Sequence, residues 1–393
     1  MSNFSYYTPT HVYFGRGTQN QVGELVRAQS CKKVLIHYGG QSARRSGLLA
    51  QVEASLDAAG VAHVQLGGVV PNPHLSLVYE GIELCRREGV DFILAVGGGS
   101  VIDSAKAIGY GMCMDGDVWE LYDHTRRATG CLPIGVILTI AASGSEMSDS
   151  SVITKEEGGI KRGYNDDICR PKFAIMNPEL TMTLPDYQTA CGCTDILMHT
   201  MERYFVQGDA MEITDSIAEA LMRTVMEQAK ILRDDPKNYD ARAEVMWAGS
   251  LSHNGLTGCG HDGSDFASHR LEHEMGGMFD VAHGAGLAAI WGSWARYVYQ
   301  NCMPRFVRFA RNVMGVEAYL SDDAAALRGI ELMEDFFRSI HMPTCFSELG
   351  IHPTQAQLEE MAHKCRIAVG GLLGSAKKLD ESDMLAIYKM ANH

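Results

Sequence analysis

The stretch "VDFILAVGGGSVIDSAKAIGYG" (residues 90–111) decides the fold, because a continuous apolar run passes through three glycines into a helical pattern. An apolar run that ends at a turn is typical of a strand buried on both faces, as in parallel sheets. The same order recurs on either side of it. Strand-like segments are "KKVLIHYGG" (32–40), "VAHVQLGGVV" (61–70) and "LPIGVILTIAAS" (132–143), and helix-like segments are "SGLLAQVEASLDAAG" (46–60) and "PNPHLSLVYEGIELCRREG" (71–89). This alternation predicts βαβ units around a parallel sheet, as in a Rossmann-like α/β domain.

The pattern changes near Thr189, where strand-like runs become rare and helical periodicity takes over. Examples are "TDSIAEALMRTVMEQAKIL" (214–232) and "LRGIELMEDFFRSI" (327–340). The change follows "MNPELTMTLP" (176–185), whose prolines suit a boundary. We therefore expect an α/β dinucleotide-binding domain at 1–186 and an all-helical domain at 187–393.

Composition narrows the functional classes. The net charge of −14 over 393 residues argues against a nucleic-acid partner, which needs a basic surface. The first residues lack the pattern of a signal peptide, and no apolar run has the length of a membrane helix. The 11 cysteines include no CxxC pair, so reduced, packed thiols are expected, Cys191 and Cys193 among them. We expect a cytoplasmic protein.

The glycine turn has the physics of a pyrophosphate site. Gly97, Gly98, Gly99 and Ser100 stand between a strand and a helix, where a backbone without side chains meets the free N–H groups of a helix start. Glycine-rich turns also arise simply to reverse the chain tightly, but phosphate binding is the favoured interpretation. The stretch is neither the GxGxxG fingerprint nor a P-loop. Asp103, in the first turn of the helix, could contact the cofactor or only favour the helix dipole.

A second glycine turn, "YGGQSARR" (38–45), bears on the choice of cofactor. A carboxylate here would bind the ribose diol of NAD, but the chain has Gly39, Gly40, Ser42, Arg44 and Arg45. Hydrogen-bond donors and positive charge suit the 2′-phosphate, so NADP(H) is favoured over NAD(H). The alternative is that both arginines belong to a solvated helix start.

The helical half contains pairs of metal-binding residue types. His269 and His273 are four apart in "SHRLEHEMGGMFDVAHGAG" (268–286), with His283 at a plausible helix start, and Asp195 and His199 are four apart in "CGCTDILMHTMERYF" (191–205). Residues four apart share a helix face, so each pair could supply half of a divalent-metal site. Each could also be a packed pair or an Asp–His hydrogen bond. Together they favour a metal site.

With these motifs the chain resembles the iron-containing (group III) alcohol dehydrogenase family from end to end. The similar segments, in family order, are "EGVDFILAVGGGSVIDSAKAIG", "PNP", "LTIAASGSEMS", "TDILMHTMERYF" and "HRLEHEMGGMFDVAHGAGLA". The last is especially similar to the butanol dehydrogenases and NADPH-dependent aldehyde reductases. The resemblance implies a dehydroquinate synthase-like architecture of two domains, and a homodimer.

The resemblance also implies roles for individual residues. The metal ligands would be Asp195, His199, His269 and His283. His273 would face the substrate and nicotinamide. The cofactor would be lined by Gly97, Gly98, Gly99, Ser100, Asn72, Thr139 and Ser143, with Lys161 on the nicotinamide side. The chain departs from the family in having Ser143 where threonine is common, although the hydroxyl is kept, and Gly39 where NAD-preferring members often carry aspartate.

The implied chemistry is hydride transfer between NAD(P)H and a short-chain aldehyde or primary alcohol, in a cleft between the domains. One divalent metal, Fe(II) or Zn(II), would act as a Lewis acid on the substrate oxygen. His273 could relay the proton, or could only orient the substrate.

Two other readings are disfavoured by the sequence. A carbon–oxygen lyase of the dehydroquinate synthase type would need a pocket lined by several cations for a sugar phosphate, whereas the metal-binding segments offer mainly His, Met, Phe and Gly, with Arg270 and Arg296 among the nearest cations. A non-catalytic nucleotide-binding regulator would not need the complete set of four metal-ligand candidates.

Overall fold

The structure, a computed structural model, describes residues 1–393 and divides the chain into two compact units. One unit comprises residues 7–183, and the other comprises residues 1–6 and 184–393. The division therefore falls three residues before the expected boundary at 186/187. The first six residues join the helical unit, where the backbone N–H of Ser2 donates to the carbonyl of Gly260 at 3.0 Å.

The unit of residues 7–183 contains the predicted α/β fold. Its strands are β1 (His11–Phe14), β2 (Lys33–Tyr38), β3 (Ala62–Leu66), β4 (Phe92–Gly97), β5 (Ile134–Leu138), β6 (Ser150–Lys155), β7 (Ile160–Asn165) and β8 (Phe173–Met176). Its α-helices are α1 (Val22–Arg27), α2 (Ser42–Arg45), α3 (Leu48–Ala58), α4 (Leu75–Glu88), α5 (Gly99–Met112) and α6 (Trp119–Tyr122). Six strands form a parallel sheet in the order β1-β8-β5-β4-β2-β3. The prediction of a parallel α/β domain is confirmed.

Strand order reverses between β2 and β4, because the chain leaves β2 for the outer strand β3 and then returns to place β4 on the other side. Tyr38, the last residue of β2, is in register with Val96 of β4. The glycine turns that follow these two strands therefore lie side by side at the carboxyl edge of the sheet. Open α/β sheets bind ligands at such a switch point.

An antiparallel hairpin of β6 and β7 was not foreseen from the sequence. Its strands mix polar and apolar residues, so they lack the continuous apolar signal of the central strands. The turn between them uses Gly158 and Gly159, both with positive φ (82° and 58°), a conformation that glycine adopts without strain. The hairpin places Lys161 opposite Thr154.

The second unit is helical, as predicted. Its α-helices are α7 (Asp186–Tyr204), α8 (Glu212–Asp234), α9 (Tyr239–His253), α10 (Ala267–Phe279), α11 (His283–Val298), α12 (Met303–Asn312), α13 (Asp322–Ser339), α14 (Phe346–Leu349), α15 (Gln355–Val369) and α16 (Glu381–Ala391). None of these helices combines the length with the apolar character that crossing a membrane requires. Helices α7 and α10 bury charged and imidazole side chains along with apolar ones.

Candidate active site

Helix α7 presents an unusual polar stripe to the interior of the helical unit. Asp195, His199 and Glu202 are spaced by four and three residues, so they lie along one face of the helix. Their exposed fractions are 4%, 5% and 0%. Burying charged groups in an apolar surrounding is costly unless they are paired or hold an ion, so this stripe requires partners.

Those partners come from α10 and α11, and they converge on one carboxylate oxygen. Asp195 Oδ1 lies 3.3 Å from His199 Nδ1, 3.5 Å from His269 Nε2 and 3.7 Å from His283 Nε2. The structure thus brings together all four residues that the sequence predicted as metal ligands.

The start of α11 reaches α7 because of one glycine. A Cβ atom on Gly284 would lie 2.7 Å from Cys191 Cα, closer than real Cβ contacts come. Glycine at position 284 therefore allows the backbone of α11 to approach α7 and brings His283, the first residue of α11, next to Asp195.

Two buried glutamates orient the histidines, and sequence reasoning missed both. Glu202 accepts hydrogen bonds from the backbone N–H of His269, at 3.0 Å, and from its ring Nδ1. Glu272 accepts a hydrogen bond from Nδ1 of His283. With Nδ1 bonded to a glutamate, Nε2 of each ring faces the centre near Asp195. Metal-binding histidines are generally oriented by a second group in this way.

The carboxylates also shift the proton affinities of the rings. Burial alone would lower the pKa of His269, but the neighbouring carboxylates of Glu202 and Asp195 outweigh burial and raise its pKa to about 9. For His199, burial together with the nearby rings of His253 and His269 holds the pKa well below its ordinary value. His199 is therefore neutral at pH 7 and has a lone pair available.

The arrangement fits a divalent cation. Asp195 Oδ1, His199 Nδ1 and His269 Nε2 are buried and have no hydrogen-bond partner, and these three residues can present their ligand atoms within 4.8 Å of one another. Buried polar atoms are normally hydrogen-bonded, so a convergent set of polar atoms without partners indicates a missing ligand. One carboxylate with imidazole nitrogens is a donor set that first-row divalent metals accept.

Other imidazoles surround this group. His273 is 7% exposed on α10, and its ring centroid lies 5.9 Å from that of His283. His253, at the end of α9, lies 4.0 Å from His199 between ring centroids. His253 was not singled out in the sequence, since no spacing links it to the other histidines.

In the α/β unit, the predicted pyrophosphate turn leaves no room for side chains. A Cβ on Gly98 would lie 2.9 Å from that of Ile140, and a Cβ on Gly99 would collide with the hydroxyl of Ser143. Gly98 caps the N-terminus of α5, which begins at Gly99 and includes Ser100. The turn therefore presents bare backbone at a helix start, next to Ser143.

Asp103 has a structural role in this arrangement. Its carboxylate accepts hydrogen bonds from the hydroxyl of Ser145 at 2.6 Å and from the backbone N–H of Val152 at 3.0 Å. It thereby fixes the segment that follows β5 and carries Ser143. Of the two roles left open by the sequence, these contacts favour positioning over direct cofactor contact.

The second glycine turn borders a pocket of about 320 Å³. Its lining residues are Tyr38, Gly39, Gly40, Gln41, Arg44, Gly67 and Gly68. The Arg44 guanidinium lies 5.2 Å from the centre of the Tyr38 ring, and its Nε donates to the Tyr38 hydroxyl at 3.0 Å. Ser42 and Arg45 are exposed on α2 next to this pocket.

Of the remaining predicted cofactor residues, Thr139 and Asn72 lie in loops of the same unit and Lys161 lies in β7. Thr139 follows β5, and its N–H donates to the carbonyl of Gly97 at 3.0 Å, which joins it to the pyrophosphate turn. Asn72 adopts a left-handed backbone conformation (φ 54°), and its neighbour Pro73 accepts a hydrogen bond from Thr154 at 2.8 Å. Because Lys161 pairs with Thr154, Asn72 and the buried Lys161 belong to one corner of the unit.

The sequence matches two families that divide the chain at the same place as the structure. Residues 9–178 match "Iron-containing alcohol dehydrogenase", and residues 189–392 match "Fe-containing alcohol dehydrogenase family, C-terminal".

Individual relatives match over nearly the whole chain. The chain is 38% identical to NADH-dependent butanol dehydrogenase A of Clostridium acetobutylicum, with 99% of each protein covered. It is 33% identical to NADPH-dependent aldehyde reductase YqhD of Escherichia coli, covering 89% of this chain and 90% of the relative. The crystal structure of NADH-dependent butanol dehydrogenase A from Thermotoga maritima superposes with a TM-score of 0.96 at 36% identity, covering 100% and 99% of the two chains. These matches favour neither the lyase nor the regulator.

Proposed function

The chain belongs to the iron-containing alcohol dehydrogenase family, and from that premise we propose that it reduces short-chain aldehydes to primary alcohols, reversibly, with NADPH and one divalent metal. The family establishes an NAD(P)-dependent alcohol dehydrogenase or aldehyde reductase. The proposal of a divalent metal is supported by the buried polar atoms that converge on Asp195 Oδ1 and have no hydrogen-bond partners.

The metal is proposed to be held by Asp195, His199, His269 and His283. When bound, Fe(II) or Zn(II) would supply a Lewis acid that polarises the oxygen of the substrate. The protein's own contribution is orientation: Glu202 and Glu272 keep the Nδ1 protons of His269 and His283 turned outward, so that each Nε2 faces the centre.

His273 is proposed to move the proton of the substrate hydroxyl through a ring nitrogen. It shares a face of α10 with His269 and is close to His283, and imidazole exchanges protons near neutral pH. If His273 only orients the substrate, a His273→Gln variant will keep the pH profile of the native enzyme while its KM rises.

The cofactor is proposed to bind at the carboxyl edge of the parallel sheet. The bare backbone of Gly97, Gly98 and Gly99 and the start of α5 suit the pyrophosphate, and Ser143 Oγ lies beside them. The hydride would pass between the nicotinamide and the substrate carbon.

NADPH is proposed over NADH on the contacts at the end of β2. No carboxylate lines the pocket there, and the Arg44 guanidinium is held at its wall by Tyr38. A cationic guanidinium forms charge-assisted hydrogen bonds with a 2′-phosphate, which are stronger than the neutral ones that a ribose diol can accept. Relatives of both kinds are known by name, one NADH-dependent and another NADPH-dependent, and comparing the rates with the two cofactors tests this preference.

A homodimer is also proposed, as the family resemblance implied. Strand β1 lies at the edge of the parallel sheet, and Phe14 at its end is 40% exposed. An edge strand with an exposed aromatic residue can be covered by a second copy. Light scattering on a sizing column measures the mass directly.

The proposed function is tested by mixing the protein with butanal and either NADPH or NADH. Consumption of each cofactor is measured as the loss of absorbance at about 340 nm. Metal-reconstituted protein is compared with His269→Ala, and with His352→Ala as a control, since His352 is an exposed histidine outside the candidate site. Activity that His269→Ala loses and His352→Ala keeps supports the metal-dependent reaction. A faster reaction with NADH would refute the assignment of Arg44, and no consumption of either cofactor with any small aldehyde would refute the proposed reaction.

A further inference from the structure

Phe266, the residue before α10, has an unusual backbone conformation. Its φ is 51°, in the left-handed region that glycine adopts freely and that bulky side chains rarely occupy. Such a conformation persists only where its surroundings fix it, and these positions cluster at functional sites. The conformation therefore indicates a functional role for the Phe266 ring.

The neighbouring residue Asp265 holds the backbone of Phe266 in this conformation. The Asp265 carboxylate accepts hydrogen bonds from the backbone N–H groups of Ala267 (3.0 Å), Ser375 (2.7 Å) and Ala376 (2.8 Å). The N–H of Asp265 donates to the carbonyl of Glu202 at 2.7 Å. Four hydrogen bonds thus hold the backbone on the N-terminal side of Phe266, and one of them reaches the glutamate that orients His269.

The ring stands beside the candidate metal ligands. Its centroid lies 5.4 Å from that of His269 and 6.4 Å from those of His199 and His253. The Arg203 guanidinium, which donates to the carbonyl of His199 at 2.9 Å, lies 4.9 Å from the centre of the ring and holds it by a cation–π contact.

Phe266 is more exposed to solvent than the three histidines beside it. The three histidines are 5%, 5% and 9% exposed, whereas Phe266 is only half-buried. The ring is therefore an apolar surface, next to the group that would hold the substrate oxygen, that a small molecule can still touch.

We infer that Phe266 is a specificity-determining residue, whose ring forms the apolar wall against which the carbon chain of the substrate packs. This inference rests on the proposed function. An aldehyde whose oxygen meets the centre near Asp195 has its first carbons within a few ångströms of the oxygen, so the alkyl chain needs an apolar partner at this distance. The ring, held by Asp265 and Arg203, is already in place and needs no rearrangement.

The experiment is kcat/KM for acetaldehyde, propanal and butanal, together with bound metal per chain, in the native enzyme and in Phe266→Gly. Glycine adopts a positive φ without strain, so this variant removes the ring and keeps the backbone. Burial of one methylene contributes enough free energy for a rise of about two- to fourfold in kcat/KM per added carbon. Phe266→Gly should flatten that rise, chiefly through KM, with metal content unchanged.

Two further variants keep the test decisive. Phe266→Leu retains an apolar but smaller wall and should give an intermediate slope if Phe266→Gly does not fold. His341→Gly removes a side chain from another left-handed position (φ 61°) in the same unit, and should leave the slope unchanged.

An equal loss for all three aldehydes, or a native slope retained in both Phe266 variants with metal bound, would overturn the inference and leave the ring a packing residue. If the native enzyme reduces aldehydes without any chain-length dependence, the inference also falls while the proposed reaction stands. If the native enzyme reduces none of them, the proposed reaction itself has failed.

Discussion

Replacing Glu202 by glutamine tests the metal centre most sharply, because it changes almost no volume and removes one charge. The native carboxylate accepts two hydrogen bonds from His269, one from the backbone N–H and one from the ring Nδ1. A glutamine side chain has one acceptor oxygen and one donor NH₂ group. Because the two native contacts use different oxygens of Glu202, the amide can keep both only if Nδ1 loses its proton, accepts a hydrogen bond from the amide NH₂, and leaves the ring proton on Nε2, the atom that faces Asp195.

The expected loss follows from this competition. Loss of a second group that orients a ligand typically costs about 10- to 100-fold in metal affinity, or about 1.4–2.7 kcal/mol. Glu202 is 0% exposed, so solvent screens its charge little, and the loss should be near the upper end of this range. Glu272→Gln should lose less, because its partner His283 has a side chain that is 28% exposed and water can replace part of the contact.

The assay is competition for Zn(II) between the protein and a fluorescent chelator, with thermal unfolding measured on the same samples. Glu334→Gln is the matched control, since Glu334 is also a buried carboxylate of the helical unit but binds Arg296. A Glu202→Gln variant that remains folded and binds Zn(II) within twofold of the native protein would refute the reasoning.

Three further outcomes are expected. Burial lowers the pKa of His37 from 6.5 to about 4, so as the pH falls the unfolded chain binds a proton at a higher pH than the folded chain does. The free energy of unfolding should therefore fall by about 3 kcal/mol between pH 6.5 and pH 4. His37→Gln should flatten that fall in urea titrations. Gly99→Ala should weaken NADPH binding at least about tenfold by fluorescence titration, because its methyl displaces Ser143. Lys106→Met should destabilise the α/β unit by about 3 kcal/mol in calorimetry, because buried Nζ donates to carbonyls of Ser145 (2.7 Å) and Ser150 (2.8 Å).

Much of the fold could be predicted because its signals are local. A parallel strand buried on both faces gives a continuous apolar run, and every such run predicted here is a strand of the sheet. The β6–β7 hairpin gives no such run, since its strands mix polar and apolar residues without regular alternation. The attachment of residues 1–6 to the helical unit depends on contacts with Gly260, far along the chain, and no local pattern encodes it.

In the candidate site, too, local spacing predicted some residues, and others depend on the packing of helices that are distant in the sequence. Asp195 and His199 could be paired from spacing alone, because positions four apart on one helix are neighbours in space. The spacing of residues could not show that Glu202 forms a hydrogen bond with His269, which lies 67 positions later, because that contact requires α7 and α10 to pack together. One signal was available: an acidic residue three positions after His199, on the same buried face, is costly unless something pairs with it.

The two glutamates also explain how the helices and the metal site depend on each other. His269 of α10 is bonded to Glu202 of α7, and His283 of α11 is bonded to Glu272 of α10. Each ligand helix is thus joined to the preceding one by a buried carboxylate–imidazole contact, and a metal at Asp195 would join the same three helices at one point. A shift of α10 would break a glutamate contact and a metal contact together, so the two sets of bonds should form and fail as one. Metal binding and packing of these helices are therefore a single equilibrium, and the helical unit should gain stability from the metal beyond that of an isolated surface site.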